Sequence, residues 1–178
     1  MEEKVGLICG RFQPIHRGHV ELIKTALKEC DTLVIAVGSA QEYGTKKNPF
    51  DFETRKELIL RSLWGVYNKN VVIIGVNDRE NIVDDSSWGR YLISQVIDQT
   101  GLVPTVNFTG KEEVRSHWFD DVPIIQKEVD RNIWPISATE VRQVILDDNY
   151  VTFVELTPPG LWLQYNKIQD KLKEIYND

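Results

Sequence analysis

VGLICGRFQPIHRGHVELIKTALKEC, residues 5–30, sets the frame for the rest of the chain. Val5–Cys9 is apolar at every position but one glycine, and it stops at Gly10. A short run apolar on both faces fits a strand of a parallel sheet covered by helices on both sides. From Gly18 the pattern changes. Leu22, Ile23, Ala26, Leu27 and Cys30 recur at helical spacing, which predicts an amphipathic helix over Gly18–Cys30. Strand, polar turn, helix is the building unit of an α/β fold.

The unit repeats outward. Thr32–Val37 ends at Gly38, and Val71–Val76 and Val103–Phe108 read as further strands. Glu53–Leu63, Trp88–Thr100 and Ser137–Leu146 carry helical patterns, and Lys111–Trp118 reads as a short helix. Leu161, Tyr165, Ile168, Leu172 and Ile175 mark a C-terminal helix entered through Pro158-Pro159-Gly160. The expected architecture is an α/β, doubly wound, Rossmann-like parallel sheet with a C-terminal helical extension. One domain is expected over residues 1–178, with a core of about 4–147 and an extension of about 150–178. Ligands bind outside the carboxyl ends of the strands in such sheets. Four segments leave those ends: residues 10–17, 38–52, 77–87 and 109–111.

Composition narrows the function. The chain has 178 residues, 42% hydrophobic and 27% charged, ordinary for a globular protein able to bury its own core. Its net charge of -6 argues against non-specific nucleic-acid binding. No apolar run approaches a membrane span and the start is no secretory signal, so a cytoplasmic location is expected. The two cysteines, Cys9 and Cys30, read as buried thiols, and His117 stands too far from the other histidines for a zinc cluster. No protein-held metal site is expected.

Two of the three histidines fall in the first turn. His19 shares the inward face of Leu22 and Ile23 and points back toward the strand end. His16 lies in the incoming loop, with Arg11 nearby. A helix N-terminus also offers unpaired N–H groups and a positive dipole end. Together these make a socket for a phosphoryl group. The bland alternative is a buried capping His19 and a surface His16. Ser137-Ala138-Thr139-Glu140 fits a capping box with Ser137 as N-cap, yet a capped helix mouth can still hold phosphates. Lys46 and Lys47 could be ordinary solvated lysines, and Arg55 could be a surface residue or an ion-pair partner within the fold. Trp88 offers an indole on which a cationic ring would stack. Trp118 and Trp134 are weaker pocket candidates, while Trp64 and Trp162 read as core. Thr109-Gly110-Lys111 lacks the rest of a P-loop and reads as a turn. Asp120-Asp121 and Asp147-Asp148 read as solvated turns.

Gly10-Arg11-Phe12-Gln13-Pro14-Ile15-His16-Arg17-Gly18-His19 resembles the GRxQPxHxGH signature of nicotinamide mononucleotide adenylyltransferases. The match is to the archaeal type and to the related domain that some bacteria fuse to a Nudix hydrolase. Three later stretches agree: Gly38-Ser39-Ala40-Gln41, Lys47-Asn48-Pro49-Phe50 followed by Arg55, and Ile136-Ser137-Ala138-Thr139-Glu140-Val141-Arg142. Lys47 stands where archaeal relatives tend to carry arginine, which keeps the charge and loses the bidentate fork. These 178 residues hold no Nudix-like segment, so the second activity of the fused enzymes is not implied.

The resemblance implies transfer of AMP from ATP to nicotinamide mononucleotide, giving NAD and pyrophosphate. It implies His16, His19, Arg11, Lys47 and Arg142 in catalysis. Gly10, Phe12, Gly18, Gly110, Ser137 and Thr139 would bind ATP, and Gly38, Ser39, Asn77 and Trp88 the mononucleotide. The nucleophile is a phosphate monoester with a second pKa of about 6, so no general base is required. Mg²⁺ would be carried mainly by the ATP phosphates. Relatives often assemble, which leaves a homo-oligomer open. Two alternatives stand beside this expectation. One is the same chemistry on nicotinate mononucleotide or phosphopantetheine; the other is a non-catalytic module sensing NAD or ATP.

Overall fold

A computed structural model describes residues 3–65, 70–80, 85–110, 117–130 and 134–177. Strands β1 (Val5–Gly10), β2 (Thr32–Val37), β3 (Asn70–Gly75), β4 (Val106–Gly110) and β5 (Ile125–Val129) form one sheet in the order β3-β2-β1-β4-β5. Every pairing is parallel, with Val5 opposite Thr32 and Gly10 opposite Val37. The strand order reverses beside β1, the point at which open α/β sheets leave a crevice for ligands.

Alternate residues of the central strands feed two cores, as the two-residue period of a strand requires. Ile8, Leu33, Ile35 and Val37 pack toward helices α1 (Arg17–Glu29) and α2 (Phe52–Ser62) through Ile23, Leu58 and Ile59. The same core takes in Val141 and Ile145 of α4 (Ala138–Leu146), Phe153 of α5 (Tyr150–Leu156) and Leu172 of α6 (Tyr165–Tyr176). Leu7, Val34 and Ala36 face the other way, against Leu92 and Val96 of α3 (Asp85–Thr100) and Phe119. Helices thus cover both faces. Among the described residues no helix is long and apolar enough to cross a membrane.

Several sequence expectations shift. The fourth strand runs over Val106–Gly110 rather than Val103–Phe108, because Pro104 has no N–H to give a ladder. β5 was not expected at all. Its sequence IQKEV is half-exposed and charged, as suits an edge strand kept from pairing further. Tyr150–Leu156 is rich in β-branched residues but helical, capped by Asn149 accepting from the Thr152 N–H; packing of Phe153 overrides propensity. The C-terminal helix starts at Tyr165, after a 3-10 turn over Pro159–Gln164. The first and third helices begin earlier than expected, at Arg17 and Asp85. Most of Lys111–Trp118 lies outside the described residues, and His117 and Trp118 sit in a turn.

Trp64 is not core: it stands 86% exposed in the turn after α2. Trp162 packs against the core and donates its indole N–H to the Thr157 carbonyl at 3.2 Å. Cys30 is buried, whereas Cys9 is only half-buried. Asp148 is more than a solvated turn residue, since its carboxylate accepts from Tyr165 and Gln169 of α6 at 3.1 and 2.8 Å.

Candidate active site

At the end of β1 the chain turns sharply. Phe12 takes a left-handed backbone (φ 50°), as does Ser39 (φ 47°) just past β2. Non-glycine residues hold such conformations where the surroundings enforce them, often at functional sites. The Gly10 carbonyl accepts the Gly38 N–H at 2.9 Å, which locks the two strand ends together.

His16 is the N-cap of α1 and His19 lies three residues into the helix. His19 Nδ1 accepts the His16 backbone N–H at 3.2 Å. The rings stack with centroids 3.7 Å apart and planes 25° apart, and Phe12 packs against His19 at 4.7 Å. The bland reading of His19 as a cap therefore holds together with the convergence of the pair. His16 is not a surface residue, being 2% exposed. Gly18 explains how the pair fits. A Cβ there would lie 3.1 Å from both the His16 ring and the Trp134 carbonyl oxygen.

The histidines open into a cavity of about 380 Å³. Gly10, Arg11, Phe12, Lys47, Ser137, Thr139 and Arg142 also line it, with Gln13, Pro135, Ile136, Ala138 and Glu140. Nine residues singled out in the sequence thus meet at one place. Among the described residues, three of the lining side chains are Arg or Lys against one carboxylate, Glu140, so an anion is favoured. Ser137 caps α4 by accepting the Glu140 N–H at 3.1 Å, which aims that helix mouth at the cavity. Arg142 is mostly committed to the fold. It donates to the Gln13 carbonyl at 2.8 Å and to Thr139 Oγ1 at 3.2 Å. Its Nε is buried with no partner among the described residues.

Arg55 and Gln13 brace the walls of the site. Arg55 is fully buried and donates to four backbone carbonyls: Arg11 (3.0 Å), Gly38 (2.8 Å), Ser39 (3.0 Å) and Asp51 (3.3 Å). Burial pulls its guanidinium below the ordinary value, and the Asp51 carboxylate opposes that pull. The Gln13 amide exchanges two hydrogen bonds with the backbone of Phe50, both 2.9 Å. It fastens the base of the lysine loop to the histidine turn. The spacing of Arg55 after Asn-Pro-Phe is a sequence signal, and Gln13 stands in the GRxQPxHxGH stretch, which does not reveal its partner at Phe50.

Other singled-out residues lie along the same sheet edge but outside this cavity. Gly110 ends β4, Gly38 and Ser39 follow β2, and Asn77 follows β3. Tyr91 Oη donates to the Asn77 carbonyl at 3.1 Å. Trp88 is half-buried and packs on Tyr91 and edge-on against Trp118, with centroids 5.4 and 5.6 Å away. Its indole N–H is buried without a partner among the described residues. Trp134 stands behind α1, with the Arg17 guanidinium 5.4 Å from its ring centroid. Lys46 turns away from the cavity and places its ammonium 5.6 Å from the centre of the Tyr176 ring.

A cytidylyltransferase-like family model matches residues 7–144, the span from β1 to α4. A nicotinamide-nucleotide adenylyltransferase of Methanococcus vannielii is 35% identical over 139 residues, covering 78% of this chain and 76% of that one. The chain belongs to the cytidylyltransferase-like family, on the branch of the nicotinamide-nucleotide adenylyltransferases. Within that branch, the Thermococcus sibiricus protein is 28% identical over 179 aligned positions, covering 97% of this chain and 90% of its own. A bifunctional NMN adenylyltransferase/ADP ribose pyrophosphatase from Francisella tularensis, solved with AMP and a manganese ion, superposes with a TM-score of 0.76 at 24% identity. That likeness is one of fold. It takes in 99% of this chain and 52% of the bifunctional protein, so the adenylyltransferase-family chain spans about half of that relative's length.

Proposed function

We infer that this chain is a nicotinamide-nucleotide adenylyltransferase. A phosphate oxygen of nicotinamide mononucleotide attacks the α-phosphorus of ATP. The bond from that phosphorus to the bridging oxygen breaks, and pyrophosphate leaves with the electron pair. The observation that carries the reading is the stacked His16–His19 pair opening onto the same cavity as Lys47, Arg142 and the N-terminus of α4. Because the attacking monoester is already largely ionised near neutral pH, the protein's task is to align two anions and to neutralise the charge that builds on the leaving group.

In this reading His16 and His19 donate to the α- and β-phosphates. Arg11 and Lys47 hold the triphosphate from one side, and Arg142 with the N–H groups of α4 from the other. Ser137 and Thr139 line the same side. Mg²⁺ would come with the nucleotide. Glu140 is the one carboxylate on the cavity wall among the described residues, which suits an ion bound chiefly by phosphate oxygens, neutralising them when present. The half-buried face of Trp88 beside Trp118 supports a stacking site for the nicotinamide ring at the end of β3. ATP and a mononucleotide as substrates favour a cytoplasmic setting.

The test is pyrophosphate release with ATP, Mg²⁺ and a panel of acceptors. Fastest release with nicotinamide mononucleotide, with NAD as product, is expected. Preference for nicotinate mononucleotide or phosphopantetheine would move the acceptor assignment. NAD binding without turnover on any acceptor would leave a sensor instead.

A further inference from the structure

Lys47 stands on the cavity wall at the end of an exposed stretch of loop. Residues 41–47 are all exposed, and the loop runs from β2 to α2. Its interior is held by short-range bonds: Asn48 donates to Glu42 Oε2 at 2.6 Å and its N–H to Thr45 Oγ1 at 2.9 Å. Its start is fastened by Gln41 Oε1, which accepts the Asp78 N–H at 3.0 Å, and its end by Gln13. Bonds between Thr45 and Asn48 close a turn around Lys46 and Lys47, with the Thr45 N–H donating to the Asn48 carbonyl at 3.2 Å, but none of these fasteners bonds either lysine itself.

The C-terminal helix does. Tyr176, in the last turn of α6, donates its hydroxyl to the Lys46 carbonyl at 3.0 Å, across 130 residues of sequence. The Lys46 ammonium stands over the same ring. The other end of α6 is fixed on α4, where Gln169 donates to the Ile145 carbonyl at 3.0 Å and Tyr165 bonds Asp148. From Tyr165 to Tyr176 the helix rises about 16 Å. It therefore joins the helix that carries Ser137, Thr139 and Arg142 to the loop that carries Lys47. In between, α6 and α2 leave a groove of about 350 Å³ lined by Phe50, Leu58, Ile168 and Lys171 among others. Tyr176, which is not among the residues lining that groove, meets the loop at Lys46.

We propose that Tyr176 is a positioning residue for Lys47, and that α6 acts as a strut fixing the distance between the two sides of the triphosphate cradle. The proposal rests on the cradle reading given above. The hydroxyl pins the peptide immediately before Lys47, so its loss lets the ammonium wander without altering its charge.

The test is steady-state NAD formation with ATP varied, for the full chain and for Tyr176→Phe, Lys47→Ala and the double variant. A single neutral hydrogen bond translates into an increase of about three- to tenfold in KM for ATP in Tyr176→Phe, with KM for the mononucleotide unchanged. In the Lys47→Ala background the same change should move KM for ATP by less than about twofold, because there is no ammonium left to position. Partial unfolding would lower kcat and leave both KM values alone, so the ratio separates the two causes. An unchanged KM for ATP in Tyr176→Phe overturns the proposal. So does an equal shift with and without Lys47. If Lys47→Ala itself leaves KM for ATP at the wild-type value, the cradle reading fails first and takes the strut with it.

Discussion

The two sides of the cavity are made in different ways. His16 and His19 are placed by one turn and one helix mouth, through a hydrogen bond between residues three apart and a glycine that lets the ring lie flat. The loop that carries Lys47 has its own short-range bonds but is tied to the fold by remote parts of the chain: Gln13 from the first turn, Asp78 from the end of β3 and Tyr176 from the last helix. The contrast separates two kinds of preorganisation. In the proposed reaction, the groups that would meet charge developing at the reacting phosphorus are set by local backbone geometry, which leaves little room to relax. The cation that would gather the flexible tail of a triphosphate sits on a loop whose tethers can be loosened one at a time.

The sharpest way to break this contrast is at His19. His19→Ala should lower turnover roughly 10²–10³-fold, the usual loss for one preorganised donor to a developing charge, while circular dichroism remains that of the folded protein. Turnover within threefold of wild type in a pyrophosphate-release assay would remove the histidine side from the chemistry. The joint between the two sides is Arg55, whose guanidinium bonds the Arg11 carbonyl on one and the Asp51 carbonyl on the other. Arg55→Ala should reduce unfolding free energy by about 3 kcal/mol, since several buried carbonyls lose their donor together. Urea denaturation measures it, and a loss below about 1 kcal/mol would mean the strand ends hold each other without the guanidinium.

The smallest effect concerns the far end of the strut. Burial and the neighbouring Asp148 carboxylate push the Tyr165 hydroxyl up to about 12. A phenol raised above its unfolded value of about 10 contributes stability that is complete below that pH. The contribution is lost as pH climbs through the folded value of about 12. Between those limits the wild-type melting midpoint should fall about 2–4 °C further than that of Tyr165→Phe. Parallel slopes for the two proteins would detach Tyr165 from the titration.

What could be read from the sequence follows the same division. The strands β1 and β2, the helix α1 and the H-x-G-H turn are legible because residue pattern and local geometry coincide there. Ser137 was visible as a cap, and the stretch from Ile136 to Arg142 as part of the site, for the same reason. β5 was invisible because an edge strand hides no apolar face, and α5 because its β-branched residues argue locally for a strand. Trp64 misled because large aromatics usually bury, and its exposure depends on where the turn after α2 happens to point. The parts played by Gln13, Arg55 and Tyr176 consist of bonds across 37, 44 and 130 residues, and no window along the chain contains both partners.

The bond from Arg142 to the Gln13 carbonyl spans 129 positions, and this has a consequence for a polypeptide made from its amino end. At about 5–20 residues per second, the histidine turn emerges from the ribosome on the order of ten seconds before its arginine neighbour exists. The nascent protein can finish β1, α1 and β2 early, yet the cavity lacks one of its walls until residue 142 has been added. The receptor thus closes only after all five described strands of the sheet have been made.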